Sequence, residues 1–425
     1  MAKAKAAPKK KGKAKAEEVE ELPKTKNDLF EKELEGLGLA DALQLAENLI
    51  GMDVECMTTG FPDLDAAINE QLAAQGKSGM PRARHVEVFS KKESSGKTSL
   101  LLKIAAVLQS LGFRVGIADI EQTITTAYMT LNGLKTTAAE CGDNLYPVRL
   151  LRSHFSFNDD EPEKVDLYCD DVLGIVKKAM NVFDFLIIDS IDALASKDDA
   201  LKEVEDNRQV GGISKKLSAF FRENKNYRAC CAWCNQTRMA VGAYNPSGGT
   251  TYVTSGGKAL PFYATMRWEL SDIKTLKEGG DDGKPYGFIC RVKIIKNKIG
   301  DKGRFVDLYY INGEGMSTTY SYFNQAIALG ILSVQKGGWH YILGEGKNIE
   351  EKKKNASFKG QGELATYRLL TGDSAYGQAA WQYIVNLIDG EDVEVGVEEV
   401  DEAAAAESED LASEEQVESA LPTAA

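Results

Sequence analysis

The sequence predicts an α/β protein with a mostly parallel central sheet, a helical arm before it and a small α+β unit after it. Three observations carry that reading. Short β-rich runs alternate with helical stretches across residues 51–312, as parallel strands joined by helical crossovers require. The segment ESSGKTS, Glu93 to Ser99, stands directly between one such strand and one such helix. The run FDFLIIDS carries four apolar residues up to Asp189, at the carboxyl end of what reads as a central strand.

The elements follow in order. Residues 1–26 read as a disordered basic tail, since residues 1–16 hold seven lysines and no acid. In residues 27–50, Leu29, Phe30, Leu34, Leu37 and Leu39, then Leu43, Leu45 and Leu49, recur at helical spacings and predict a helical oligomerisation arm. Within 51–312 the predicted strands are His85–Phe89, Arg114–Asp119, Asp184–Asp189, Tyr227–Asn235, Phe262–Leu270, Phe288–Ile295 and Phe305–Tyr310. The predicted helices are Lys97–Leu111, Asp170–Val182 and Ile213–Glu223. Residues 313–390 hold GWHYI, read as a strand, and GQAAWQYIVNLI, read as a helix, and form the small α+β domain. Residues 391–425 carry thirteen Asp or Glu against no Lys or Arg and read as a disordered acidic tail.

Composition narrows the function classes. The chain has 425 residues, 43% of them hydrophobic and 27% charged, an ordinary balance for a globular protein with a sizeable core. No apolar run reaches the roughly eighteen residues of a membrane span, and the lysine-rich start lacks a secretory apolar stretch. Seven cysteines in such a chain read as reduced cytosolic thiols, so a cytoplasmic location is expected. The net charge of −13 is concentrated in the last tail and leaves local basic patches free to meet phosphate.

The phosphate-binding signal is the strongest. Between strand HVEVF and a helix, Glu93, Ser94, Ser95 and Gly96 turn backbone N–H groups toward one point, and the helix N-terminus adds its positive end. Lys97 reaches toward β- and γ-phosphates, while Thr98 offers a hydroxyl to Mg²⁺ beside Ser99. The usual spacing wants glycine at position 91, where this chain has Lys91. Asp189 is placed to orient the metal shell, so Thr98 and Asp189 are the expected metal pair. A third strand, VGIADIE, ends in Asp119 and Glu121, a carboxylate that could polarise an attacking water.

At this point the residues resemble a known family. ESSGKT, the strand ending in DIE, LIIDS, CNQTRM, TSGGKALPFYATMR and KIIKNKIG match the bacterial RecA recombinases in order and spacing. The resemblance is close over residues 55–315 and looser over 316–385. It implies a RecA-type P-loop ATPase core that uses ATP and Mg²⁺. It implies Glu121 as the glutamate activating water, Tyr128 as the tyrosine stacking on adenine, and Gln236 as the sensor linking γ-phosphate to a DNA-binding loop. Lys296 and Lys298 would reach the phosphates of a neighbouring subunit, and Phe262 would be an interface aromatic. The segment after Gln236 resembles the second DNA-binding loop, with Arg238, Met239, Val241, Gly242, Tyr244, Gly256 and Gly257 as contacts. The first loop would be KEVEDNRQVGG, with Arg208, Val210 and Lys215. Such loops are expected to lack regular structure.

Departures from the pattern accompany the matches. Ser90, Lys91 and Lys92 replace the Gly-Pro that opens the family's phosphate loop, losing glycine's tolerance of positive φ. Gln122 and Thr125 replace a His and an Asp near the adenine site, and additional residues lie around Gln71–Ser78 and Asn158–Lys164. These departures read as those of a divergent member, for which carriage by a phage or a mobile element is one expected origin. Cys231 and Cys234 have CxxC spacing, but strand alternation puts them on opposite faces and predicts core packing; His85, His154 and His340 are isolated.

The resulting expectation is a DNA-dependent ATPase that forms filaments on single-stranded DNA. It would pair that strand with duplex DNA in recombination, repair and the SOS response, in a bacterial cell or a phage-infected host. Expected partners are single- and double-stranded DNA, further copies of the chain, a single-strand-binding protein and loaders. The competing classes are an ATP-binding DNA scaffold with little turnover and a hexameric DNA-translocating motor.

Overall fold

The structure is a computed structural model. It describes residues 54–152, 155–158, 161–164, 168–194, 212–224, 226–239, 252–277 and 283–390, together with Lys32. The two tails, the helical arm apart from Lys32, and the site candidates Arg208, Val210, Val241, Gly242 and Tyr244 lie outside the described residues, as do His154 and the Met239 side chain.

A short antiparallel pair, β1 (Cys56–Met57) and β2 (Met80–Pro81), precedes the main sheet. The main sheet takes β3 (His85–Ser90), β4 (Val115–Asp119) and β5 (Arg149–Arg152). β6 (Phe155–Asn158) and β7 (Glu161–Lys164) form a separate hairpin. The sheet resumes with β8 (Phe185–Asp189), β9 (Cys230–Met239), β10 (Tyr252–Thr254) and β11 (Met266–Lys277). It ends with β12 (Pro285–Asn297), β13 (Phe305–Ile311) and β14 (Gly315–Met316). In space the order is β14-β13-β12-β11-β3-β9-β8-β4-β5, with β10 attached to β9. The six strands from β11 to β5 are mutually parallel, and β12 to β14 extend them as an antiparallel meander. This is the mostly parallel α/β sheet that the strand–helix order predicts.

Strand alternation builds the two layers. On β8, Phe185 and Ile187 join a core with Leu100, Leu101 and Ile104 of the Lys97–Ser110 helix. Leu186 and Ile188 face the other way, onto Val172 and Val176 of the Cys169–Ala179 helix and Leu217 and Phe221 of the Gly212–Glu223 helix. Burying each such side chain contributes about 1.5–3 kcal/mol. Cys230 and Cys234 pack with the first layer and Cys231 with the second, all fully buried, so the CxxC pair is split across the sheet. His85 is also spent on packing, accepting a 3.1 Å hydrogen bond from Trp233 Nε1 while burial pushes its pKa down to about 3.

Two segments near the site differ from expectation. Residues Ala259–Tyr263 form a short helix, so Phe262 is helical and the strand begins only at Met266. Pro261 falls in that helix's first turn, where its missing N–H costs no hydrogen bond. β9 starts later than expected and runs on through Met239, where Thr237, Arg238 and Met239 pair with Thr254, Val253 and Tyr252. The stems of the second loop are therefore a β-hairpin rather than irregular chain. Lys215 is exposed on the Gly212–Glu223 helix, within the helix expected over Ile213–Glu223.

Beyond β14 the chain buries a third cluster containing Tyr320, Phe323, Phe358, Leu370 and Ile384. It is enclosed by helices Thr318–Ala328, Glu363–Thr371 and Ala375–Asp389 and by a three-stranded antiparallel sheet, β15 (Ser333–Gln335), β16 (Trp339–Ile342) and β17 (Phe358–Gln361). Ser321 on the first of these helices donates a hydrogen bond to Asp63 of the Pro62–Ile68 helix.

Candidate active site

Parallel strands deliver their carboxyl ends to one edge of the sheet, and the register shows which residues meet there. Asp119 lies opposite Asp189, and Ser90 lies opposite Gln236. The loop from Ser90 to Gly96 leaves this edge and enters the Lys97–Ser110 helix with Gly96 at its N-cap. Positive φ is needed at Ser94 (55°) and Gly96 (84°), and a β-carbon on Gly96 would run into Met316. Lys91 is not among the positive-φ residues, so glycine at that position is not required by the backbone. Its ammonium instead pairs with Glu269 on β11 at 2.8 Å.

Within the loop, Ser95 Oγ and Ser90 Oγ both donate to the Lys92 carbonyl, at 2.9 and 2.6 Å. Lys97 Nζ donates to Ser90 Oγ at 2.7 Å, and Glu93 is exposed. Thr98 Oγ1 donates to Asp189 Oδ2 at 2.6 Å. Ile120 N donates to the Asp189 carbonyl at 2.6 Å, which draws the end of β4 onto the end of β8, and Ser190 Oγ donates to Glu121 Oε1. Burial raises the Asp189 pKa, a rise that the nearby Glu121 charge adds to and that hydrogen bonds from Thr98 and Cys234 oppose. A hydroxyl and a carboxylate are the oxygen donors that suit Mg²⁺, which is normally completed by phosphate oxygens and water. Thr98 and Asp189 therefore fit the ion.

Tyr128 lies in the first turn of the Thr126–Leu131 helix, whose cap is Thr125, and its hydroxyl meets Ser99 Oγ. Gln236 donates its backbone N–H to Asn235 Oδ1 at 2.9 Å, and its carbonyl accepts from Ser255 N at 3.1 Å. Gln236 thus sits beside both the phosphate loop and the returning stem of the second loop. Gly256 and Gly257 have φ of 78° and 79°; β-carbons there would strike Leu217 and Ile191, and Ser214, respectively.

Lys296 and Lys298 are not brought to this edge. Lys296 pairs in register with Arg267, which pairs with Glu87, three residues before Ser90 and about 10 Å along the strand. Its ammonium donates to the carbonyls of Pro261 and Phe262, at 2.7 and 2.8 Å. Lys298 is exposed, and Phe262 is 72% exposed.

Several contacts around the site were not foreseen from the sequence. Cys234 donates to Asp189, Cys290 donates to the Ser95 carbonyl at 3.2 Å, and Asp192 pairs with Arg238 at 2.7 Å. Buried Glu87 accepts from Asn235 Nδ2 at 2.8 Å and from Arg267. The signal for Glu87 in the sequence was an acidic residue at the centre of the strand HVEVF.

Comparison with known proteins places the chain. The RecA N-terminal domain family matches residues 30–141 and 164–317, and the gap takes in most of the Asn158–Lys164 region where additional residues are expected. The RecA protein of Thermotoga maritima is 30% identical over 345 residues, 78% of this chain and 86% of the relative. That of Heliobacterium modesticaldum is 30% identical over 329 residues, 75% and 84%. That of Chloroflexus aurantiacus is 29% identical over 329 residues, 75% and 83%. With the phosphate loop, Asp189, Glu121 and Gln236 gathered at one edge of a mostly parallel sheet, this chain belongs to the RecA family.

Proposed function

We propose that this protein is a DNA-dependent ATPase of the recombinase type, assembling as a filament on single-stranded DNA and exchanging that strand with a homologous duplex. The observation that carries the reading is the adjacency of Ser90 and Gln236. One strand pair leads from the phosphate loop directly into the hairpin stem of the second loop. A nucleotide on the loop and DNA on the hairpin would then act on neighbouring strands.

The residue roles follow from their chemistry. The loop N–H groups and Lys97 bind phosphate, with Lys97 exchanging Ser90 Oγ for a phosphate oxygen. Thr98 and Asp189 would hold Mg²⁺, which when bound would supply positive charge against the nucleotide's phosphates. Glu121, oriented by Ser190, accepts the proton of the attacking water. Tyr128 presents an aromatic face for the base. Gln236 lies on β9 just before the hairpin stem, and its side-chain amide, able to donate and accept hydrogen bonds, links the two ligands. Lys296 and Lys298 lie away from this chain's own loop, which supports their acting on a neighbour's nucleotide, with Phe262 in the same contact. Arg238 and Lys215 meet DNA phosphates, and Gly256 and Gly257 let the returning stem lie close to the Ile191–Ala193 turn and the Gly212–Glu223 helix. Single-strand-binding and loader proteins, and a cytoplasmic setting, belong to the same reading.

The test is ATP hydrolysis by the purified chain with and without single-stranded DNA, alongside negative-stain microscopy with a non-hydrolysable ATP analogue. DNA-stimulated turnover and helical filaments are expected. Closed rings would point to a motor, and DNA binding without turnover to a scaffold.

A further inference from the structure

The turn Ile191–Ala193, directly after Asp189 and Ser190, touches both stems of the second loop. On the outgoing stem, Arg238 Nη2 donates to Asp192 Oδ1 at 2.7 Å. On the returning stem, Gly256 packs so closely that a β-carbon would meet Ile191 Cγ2 at 2.9 Å. The pair is lopsided: the Arg238 side chain is 70% exposed and that of Asp192 only 11%. Asp192 Oδ2 is buried and has no hydrogen-bond partner among the described residues. A carboxylate held this way keeps its charge fixed in the fold, while the guanidinium can swing away to another anion.

We propose that Asp192 is the resident counter-ion of Arg238 and competes with a DNA backbone phosphate for it. This rests on the recombinase reading and adds a residue that sets DNA affinity. With DNA absent, Asp192 draws the outgoing stem down onto the turn that follows the site's aspartate. With DNA present, a phosphate takes Arg238 bidentately, and the stem is no longer tied to the turn. The turn is joined covalently to Asp189 and Ser190, and Ser190 holds Glu121. Occupancy of the loop is thereby coupled to the position of the groups that handle water and metal. The physical warrant is one guanidinium with two competing anions.

The experiment is a double-mutant cycle read by fluorescence anisotropy on a labelled oligothymidylate at low salt, using the full chain. D192N removes the competing charge and is expected to tighten binding about two- to fivefold, the scale of a partly exposed ion pair. R238Q weakens binding. D192N added to R238Q should change nothing further, because no guanidinium remains to be released. Unaltered or weaker binding by D192N, in a chain that does bind the oligonucleotide, overturns the inference and leaves the recombinase reading standing. A D192N gain that persists in full beside R238Q also overturns it, since general charge removal would then be the cause. No binding by the wild-type chain overturns both. A thermal melt of each variant, matched to wild type, supports reading the affinities as local effects. If D192N alone melts early, D192S replaces it in the same cycle with the same expected outcomes.

Discussion

The thiol of Cys290, buried on β12, donates a 3.2 Å hydrogen bond to the backbone carbonyl of Ser95 inside the phosphate loop. Burial pushes its pKa up to about 12, so at neutral pH it remains a protonated donor. The loop is thus gripped from β12 as well as from β14, where Met316 lies against Gly96. Removing the donor leaves a loop carbonyl without its partner and frees the loop to shift. Cys290→Ala is expected to weaken ATP binding about two- to tenfold, the equivalent of about 0.5–1.5 kcal/mol for one hydrogen bond. Cys290→Ser, which can still donate, should recover most of the loss. Equal nucleotide titrations for wild type and Cys290→Ala would remove the thiol from the account.

On the proposed roles, substitutions at Glu121 and Lys97 should separate binding from turnover. Glu121→Gln should keep ATP binding and lower kcat by about 100-fold or more, because an amide cannot take the water proton. Lys97→Ala should fail earlier, at binding. Ser190→Ala leaves the carboxylate in place without its orienting donor, so its kcat should fall between wild type and Glu121→Gln. Single-turnover hydrolysis with separately measured nucleotide affinity checks the order. A Glu121→Gln protein with normal turnover would reassign the base.

What could be read in the sequence was what is local in it. ESSGKTS sits within one strand–loop–helix unit, and the apolar run before Asp189 announces a buried strand by composition alone. The split of Cys231 and Cys234 needed only strand alternation. The Asp192–Arg238 and Cys290–Ser95 contacts depend on which strands are neighbours and in what register, and no window of sequence holds that. Phe262 failed for a different reason: an aromatic-rich run suits a strand, yet Pro261 was placed where a helix start tolerates it. The opening of the phosphate loop corrected a rule applied by position, since the left-handed residues are Ser94 and Gly96 and not Lys91.

Lys296 gives a pH dependence with two opposite signs. Burial pulls its pKa from 10.5 down to about 8, and Lys298 and Arg267 add to that. Between pH 8 and 10.5 the unfolded chain holds a proton that the folded chain lacks, so this group adds stability as pH rises through that window. Any role for its positive charge in assembly is lost over the same range. Cooperative ATP hydrolysis should therefore decline as pH rises through about 8 while the fold does not weaken on this account. Lys296→Arg, which stays charged, should move the decline to higher pH. An identical alkaline limb in wild type and Lys296→Arg would show that another group sets it.

Asp184 ties together three segments at the amino end of β8, far along the strand from Asp189. Its carboxylate accepts from Arg82 Nη2 at 2.8 Å, Arg228 Nε at 2.6 Å, and the Arg114 backbone N–H at 3.0 Å. The Asp184 side chain is 3% exposed, whereas the arginines reach solvent at 18%, 47% and 33% for Arg82, Arg228 and Arg114. Loss of the carboxylate charge leaves cations that can rehydrate, which holds the cost below that of a fully buried pair. Asp184→Asn should destabilise the fold by about 2–3 kcal/mol, read as a lower urea midpoint. Each single Arg→Gln change should cost less, because two guanidinium partners remain. ATP affinity should be unchanged in all four variants, since the contacts lie at the end of the sheet away from the phosphate loop. An Asp184→Asn protein with the wild-type midpoint would mean that the three segments are held by their packing and strand pairing alone.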